Sequence, residues 1–239
     1  MSKLDAKFII IVLFIVYAIS TILLQKAYQR EVLVSYFITV NAYISDILTR
    51  NIRAYVITGN DEFKRRYFEI LNTRDGDGTW ETIIAHPWFK NEKRTLSQLF
   101  NAFNFNEEEL RFIEGSRQES AKLVWTEIVA INMTEGYIDE DNKGKETFDQ
   151  KELSNVSFIQ FNKKVEDQAT LKKMKQEAVD MLFSSEYLNS KKKIDVMAYE
   201  GEKMIAQRED NKVKSLWYTS NFLLIAIFAL FVYYIIYVC

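Results

Sequence analysis

The chain has 239 residues and a formal net charge of -2, with seven Gly, one Pro, one His and one Cys. The near-neutral balance offers no basic surface for a nucleic-acid partner, and the lone Cys239 excludes a disulfide or a cysteine metal site within one chain. High charge with few turn residues predicts a mostly helical protein.

Residues 1–7 form a short polar tail carrying Lys3 and Lys7. Residues 8–24 are uncharged and rich in Ile, Val, Leu and Phe, near the lower length limit of about 17 residues for a membrane-spanning helix. The alternative is a cleaved signal peptide, but Ala18-Ile-Ser20 is a poor cleavage site, so an uncleaved anchor is expected. Neither Gly nor Pro occurs before Gly59, so everything to Thr58 can be one helix. Within it Leu33, Phe37, Val40, Ile44, Ile47, Asn51, Ala54 and Thr58 follow steps of four and three, a seam toward other helices with Asn51 as its polar interruption. Gly59 is expected to end the helix in a left-handed conformation, and Asn60 or Asp61 to cap the next.

That next helix, from Asp61 to Leu71, turns Phe63, Tyr67 and Ile70 to one face. Asp75-Gly-Asp-Gly78 reads as a turn, and the aromatic stretch from Trp80 to Phe89 as a cap over the end of a bundle. Leu96 to Phe103 is a short helix. Asn106-Glu-Glu-Glu109 is a capping box for a helix running to about Thr134, with Val124, Ile128 and Ile131 on its apolar face. Residues 136–150 read as a polar loop, and residues 151–165 show no clear period. From Asp167 the helical pattern returns with Leu171, Met174, Ala178 and Met181. A final helix carries Ile194, Ala198, Gly201, Ile205 and Arg208 and enters a second uncharged segment, residues 217–238. Aromatic residues at both ends of that segment suit the two interfaces of a bilayer, which favours a second span (217–239) over a buried core helix.

Both termini then share one side of the membrane, with residues 25–216 on the other. Lys26, Arg30, Arg208, Lys212 and Lys214 on the loop side outnumber Lys3 and Lys7, but the charge rule governs short loops, and an extracytoplasmic domain is expected.

Three blocks resemble the extracytoplasmic four-helix-bundle sensor domains of bacterial transmembrane receptors, the type shared by chemoreceptors, histidine kinases and nucleotide cyclases. Arg53-Ala-Tyr-Val-Ile-Thr-Gly-Asn-Asp61, with Tyr67 after it, is similar to the segment that closes that family's first helix. Ser97-Gln-Leu99, Phe105 to Leu110, Ser120, Leu123, Glu127 and Ala130 are similar to its third-helix block. Leu182-Phe183, Glu186-Tyr187, Lys191, Ile194 and Arg208 resemble its last. The blocks cover roughly residues 25–210 in order. The resemblance implies an all-α fold, an up-down four-helix bundle whose long first and last helices continue into the membrane. Residues 140–165 exceed the family pattern, and no output domain is expected between the second span and Cys239.

Chemistry-bearing motifs are few. Asp139 to Gly144 begins like a calcium loop, but Lys143 and Gln150 stand where oxygen ligands belong, so no metal is expected there. His86 has no second histidine, and no catalytic triad, phosphate loop or zinc-protease helix is found, so neither an enzyme nor a cofactor is expected. Asn132-Met-Thr134 and Asn155-Val-Ser157 fit the glycosylation triplet. The candidate ligand site is Arg53, Tyr55, Tyr67, Trp125, Glu127 and Tyr187, with Arg53 as an anion fork and the aromatics as walls. The competing, favoured reading is an interhelical Arg53–Glu127 ion pair with tyrosines packed around it. The expected function is a membrane-anchored sensory module that passes a conformational signal through its spans to a partner or an output domain. The alternative is a structural or assembly subunit of a membrane complex. Expected partners are the lipid bilayer, a small-molecule ligand, and a second copy or another membrane protein meeting the spans.

Overall fold

A computed structural model describes residues 3–75, 78–85, 87–102, 105–150 and 159–237. The fold is all-α. Among the described residues seven helices follow in order: α1 Lys3–Thr58, α2 Asp61–Asp75, α3 Leu96–Ala102, α4 Glu107–Glu135, α5 Lys143–Gln150, α6 Gln168–Leu182 and α7 Ser185–Tyr237. Among the described residues the strands are β1 Tyr137–Ile138 and β2 Lys163–Lys164, an antiparallel pair of two residues each.

The chain divides into two compact units. One holds α1 up to Phe37 and α7 from Glu202; the other runs from Ile38 to Gly201. The stretch 25–216, expected as one domain, is thus shared between them.

In the first unit, two helices are long and apolar enough to cross a membrane. Phe8, Phe14, Phe222 and Phe228 are 68%, 62%, 72% and 67% exposed, a surface that water would oppose and lipid would not. Ser20, Ala27 and Val34, spaced by seven on α1, are buried, as are Ile205, Glu209 and Ser220 on α7. Arg30 Nε stands 3.4 Å from Glu209 Oε1, which also accepts a 2.8 Å bond from Arg208.

In the second unit, Gly59 ends α1 at φ 68°, and its amide donates to the Tyr55 carbonyl at 2.7 Å. Asn60 Oδ1 then accepts from Glu62 N at 3.0 Å as α2 begins. Val40, Ile44, Ile47 and Asn51 are buried as expected, but Ala54 is half-buried and Thr58 exposed. The buried stripe moves to Leu48, Ile52, Tyr55 and Val56. A 3.6-residue helix drifts about 20° per heptad against a strict seven-residue seam, which accounts for the shift. Asn51 donates to its own helix, at the Ile47 carbonyl 2.6 Å away. The Phe37 side chain, and His86 and Asn155 altogether, lie outside the described residues.

Trp80–Thr82 and Pro87–Phe89 form two short 3-10 turns. Trp80 and Phe89 are fully buried with ring centres 5.8 Å apart, and Trp80 Nε1 donates to the Arg94 carbonyl at 2.8 Å. The Asn106–Glu109 capping box opens α4, and Gly136 closes it at φ 84°.

Residues 136–150 depart from the expected loop. After β1, the Asp139 carboxylate accepts from the amides of Gly144 (3.0 Å) and Lys145 (3.1 Å), so it caps α5. Asp141 pairs with Lys143 at 3.0 Å. Cap and ion pair engage the carboxylates that a calcium loop would need. Asn132 anchors the return strand: it is fully buried, donates to the Ile159 carbonyl (2.8 Å) and accepts from Phe161 N (2.8 Å). The helix expected from Asp167 and the final helix part at Phe183-Ser184, where Ser184 Oγ accepts from Tyr187 N at 3.1 Å and starts α7.

Candidate functional site

The site is organised by one carboxylate. Glu127 lies in the middle of α4, between Val124, Ile128 and Ile131, and is 3% exposed. A charge there has lost its water and requires donors from other helices. Tyr67, from the buried face of α2, donates to Glu127 Oε2 at 2.6 Å. Tyr187, in the first turn of α7, donates to Oε1 at 2.5 Å. The Tyr187 hydroxyl also lies 3.4 Å from Thr49 Oγ1 on α1. Four helices therefore meet through one carboxylate and three hydroxyls.

Burial raises the Glu127 carboxyl above its ordinary value; the Tyr187 and Tyr67 bonds and the charges of Arg74 and Lys191 pull it back down. The two phenols are raised, first by burial and then by the Glu127 charge, so both remain protonated donors. Lys191 is itself held by Ser45 Oγ at 2.7 Å and Asp46 at 2.8 Å on α1. Arg74 reaches Ser120 at 3.4 Å.

The expected Arg53–Glu127 pair is not formed. Arg53 donates through Nε and Nη2 to the Leu182 carbonyl at 3.2 and 2.8 Å, which closes the end of α6. Its guanidinium lies 4.4 Å from the Phe183 ring centre and 5.3 Å from that of Tyr187. A delocalised cation tolerates such a place: the rings take its faces and a carbonyl takes its edge. With its fork engaged, Arg53 does not present the free anion clamp that the ligand reading assigned to it.

Tyr55 and Trp125 stand apart from this cluster. Tyr55 donates to Glu135 Oε1 at 2.9 Å, and Lys64 pairs with the same oxygen. Glu135 lies eight residues beyond Glu127, a rise of about 12 Å along α4. Burial, then the Glu135 bond, raises the Tyr55 phenol. Trp125 packs against Phe148 and Phe161 at 5.1 and 5.7 Å, and Lys145 lies 5.1 Å over its ring. The six predicted residues therefore separate into a hub (Tyr67, Glu127, Tyr187, with Arg53 against Tyr187), a second pair at Tyr55, and an aromatic patch at Trp125.

Sequence reading missed Thr49, Lys64, Glu135 and the Leu182 carbonyl. Glu135 carried one signal, a lone acid at the end of α4 beside Gly136. Thr49 carried none, since threonine is ordinary in a helix flank. Among the described residues no group of three or more His, Cys, Asp or Glu is placed to hold a metal ion. No family profile, curated protein or solved structure matches the chain.

Proposed function

We propose that the chain is a membrane-anchored sensory module whose helical unit responds to a small molecule and passes a conformational change along its first and last helices. In this reading the second unit is an up-down four-helix bundle of the chemoreceptor type, extracytoplasmic, on two spans set in the lipid bilayer. A second copy, another membrane protein or an output domain receives the signal.

The observation that carries the reading is the Glu127 hub. It joins Thr49, Tyr67 and Tyr187 of α1, α2 and α7 on one buried carboxylate. Two of those helices, α1 and α7, are also the ones that run unbroken into the apolar segments. Cross-helix bonds support antiparallel neighbours: Thr49 to Tyr187 and Ser45 to Lys191 descend α1 as they ascend α7. Tyr67–Glu127 and Arg74–Ser120 do the same for α2 and α4. A change at the hub reaches both anchored helices together, and small shifts of packed helices are a standard output of such elements.

The second reading, a structural or assembly subunit, is favoured by Arg53: the residue assigned to a ligand is already satisfied by Leu182. One experiment separates the two. The full chain in detergent is screened against small metabolites by thermal shift, and each hit is tested for a changed cross-linking rate between cysteines at positions 23 and 218. A hit that stabilises and changes cross-linking supports the sensor. Stabilisation with unchanged cross-linking supports the structural subunit.

A further inference from the structure

Where α1 and α7 approach their apolar segments, the first unit gathers cations on one side of the helix pair. Arg30 Nε lies 3.4 Å from Glu209 Oε1, and Arg208 Nη2 donates to the same oxygen at 2.8 Å. The Glu209 side chain is 2% exposed, whereas those of Arg30 and Arg208 are 30% and 31% exposed. One buried carboxylate thus holds a cation from each helix side by side. Lys26 lies four residues before Arg30, and Lys212 four residues after Arg208. That spacing puts each lysine on the face of its arginine, one turn nearer the apolar segment of its own helix. Both lysines are exposed, and among the described residues neither side chain forms an ion pair or a hydrogen bond. The other side of the pair is balanced. Lys214 is engaged by Asp210 at 2.6 Å, and the Glu31 charge acts on it. At 3.6 residues per turn, Glu31 stands about 140° around α1 from Lys26, and Lys214 about 160° around α7 from Lys212.

We propose that Lys26, Arg30, Arg208 and Lys212 bind the phosphodiester headgroup of an anionic phospholipid, in the leaflet next to residues 25–216. Lys26 lies two residues past the uncharged stretch 8–24, a rise of about 3 Å, and Lys212 five residues before Trp217, about 8 Å. A headgroup layer is about 5–8 Å deep, so both lysines reach it. Trp217 and Tyr218, both exposed, suit the same interface. Ammonium and guanidinium groups are the side chains that hold phosphate oxygens. The lipid source follows from what lies beyond the charges. Ile22 and Leu23, four and three residues before Lys26, are exposed and apolar, a seat for acyl chains that a free phosphate would not use. A zwitterionic headgroup brings a cation of its own to the patch and loses the advantage. The proposal rests on the two spans of the reading above and adds a partner at the level where both helices leave the bilayer.

The test uses the full chain in a neutral detergent. Native mass spectrometry counts the lipid bound from an equimolar mixture of short-chain phosphatidylglycerol and phosphatidylcholine. The wild type should carry at least about tenfold more phosphatidylglycerol, and Lys26→Gln and Lys212→Gln should each lower that preference about fivefold, as one basic residue at an anionic surface implies. Lys214→Gln, on the other side of α7, should leave it unchanged. Equal binding of the two lipids overturns the proposal. So does a loss in Lys214→Gln as large as in Lys26→Gln, which would show attraction to net charge without a site. Displacement of the lipid by an equal concentration of inorganic phosphate overturns the lipid assignment. The two readings fail separately. Labelling of positions 2 and 142 from one face removes the spans and this site with them. Labelling from opposite faces, with no lipid preference, removes the site alone.

Discussion

Tyr67→Phe removes one oxygen from a fully buried ring and leaves its packing in place. That oxygen donates at 2.6 Å to a carboxylate that is itself 3% exposed. A hydrogen bond to a charged group contributes about 1.5–3 kcal/mol, a neutral one about 0.5–1.5. A helical protein of this size moves by about 2–4 °C in Tm per kcal/mol, so the variant should melt about 3–12 °C lower while Glu127 is ionised. The cost depends on pH. Burial holds the folded Glu127 carboxyl above its unfolded value, so its contribution is fully present below the ordinary Glu range and is lost as pH rises through the folded value. Tyr67 is one of the groups lowering that value, so removing it raises the value further, and the variant loses more with rising pH than the wild type. The measurement is thermal unfolding of the full chain in detergent at about pH 5 and about pH 8, with Glu127→Gln as the second arm of a double-mutant cycle. Tyr67→Phe should cost more at the higher pH, and less when Glu127→Gln is already present, with a coupling near 1 kcal/mol or above. An equal cost in both backgrounds at both pH values would refute the hub.

Three further outcomes follow from particular contacts. Adding Arg53→Met to Glu127→Leu should give no rescue, because Arg53 pairs with Leu182 and not with Glu127; restored Tm in the double variant would reinstate the ion pair. Asn132→Ala should cost about 2–4 kcal/mol, since it strands the buried Phe161 amide and Ile159 carbonyl; hydrogen exchange at Phe161 should rise sharply, and unchanged protection would contradict the anchor. Cysteines at positions 2 and 142, in a Cys239→Ser background, should label from opposite faces of the membrane; labelling of both from one face would remove the two-span arrangement.

Much of the fold was legible because its signals are local. Gly59, the Asn106–Glu109 box and Asp167 mark helix ends through backbone chemistry within four residues, and each stands where it was expected. The apolar segments announce themselves by composition. Residues 136–150 misled because α5 depends on Asp139 capping amides five and six positions on, a pattern that a polar run conceals. At the site, Tyr67, Glu127 and Tyr187 of the six candidates meet, but the sequence reading paired the carboxylate with Arg53, whereas the two phenols hold it. An arginine and a glutamate on facing helices suggest an ion pair; nothing in residue types shows that two phenols reach the carboxylate first, or that an α6 carbonyl claims the guanidinium.

If the Glu127 hub acts on the first and last helices where they enter the apolar segments, the separation of α1 and α7 there responds to a change at the hub. Spin labels at Leu23 and Tyr218, both exposed, report the separation of α1 and α7 there in the Cys239→Ser protein. Double electron–electron resonance in lipid nanodiscs should show a distance distribution that shifts or broadens when Tyr187→Phe removes the donor shared between Glu127 and Thr49. A distribution unchanged by Tyr187→Phe, in a variant that still folds, would contradict the claim and leave the hub a purely structural device.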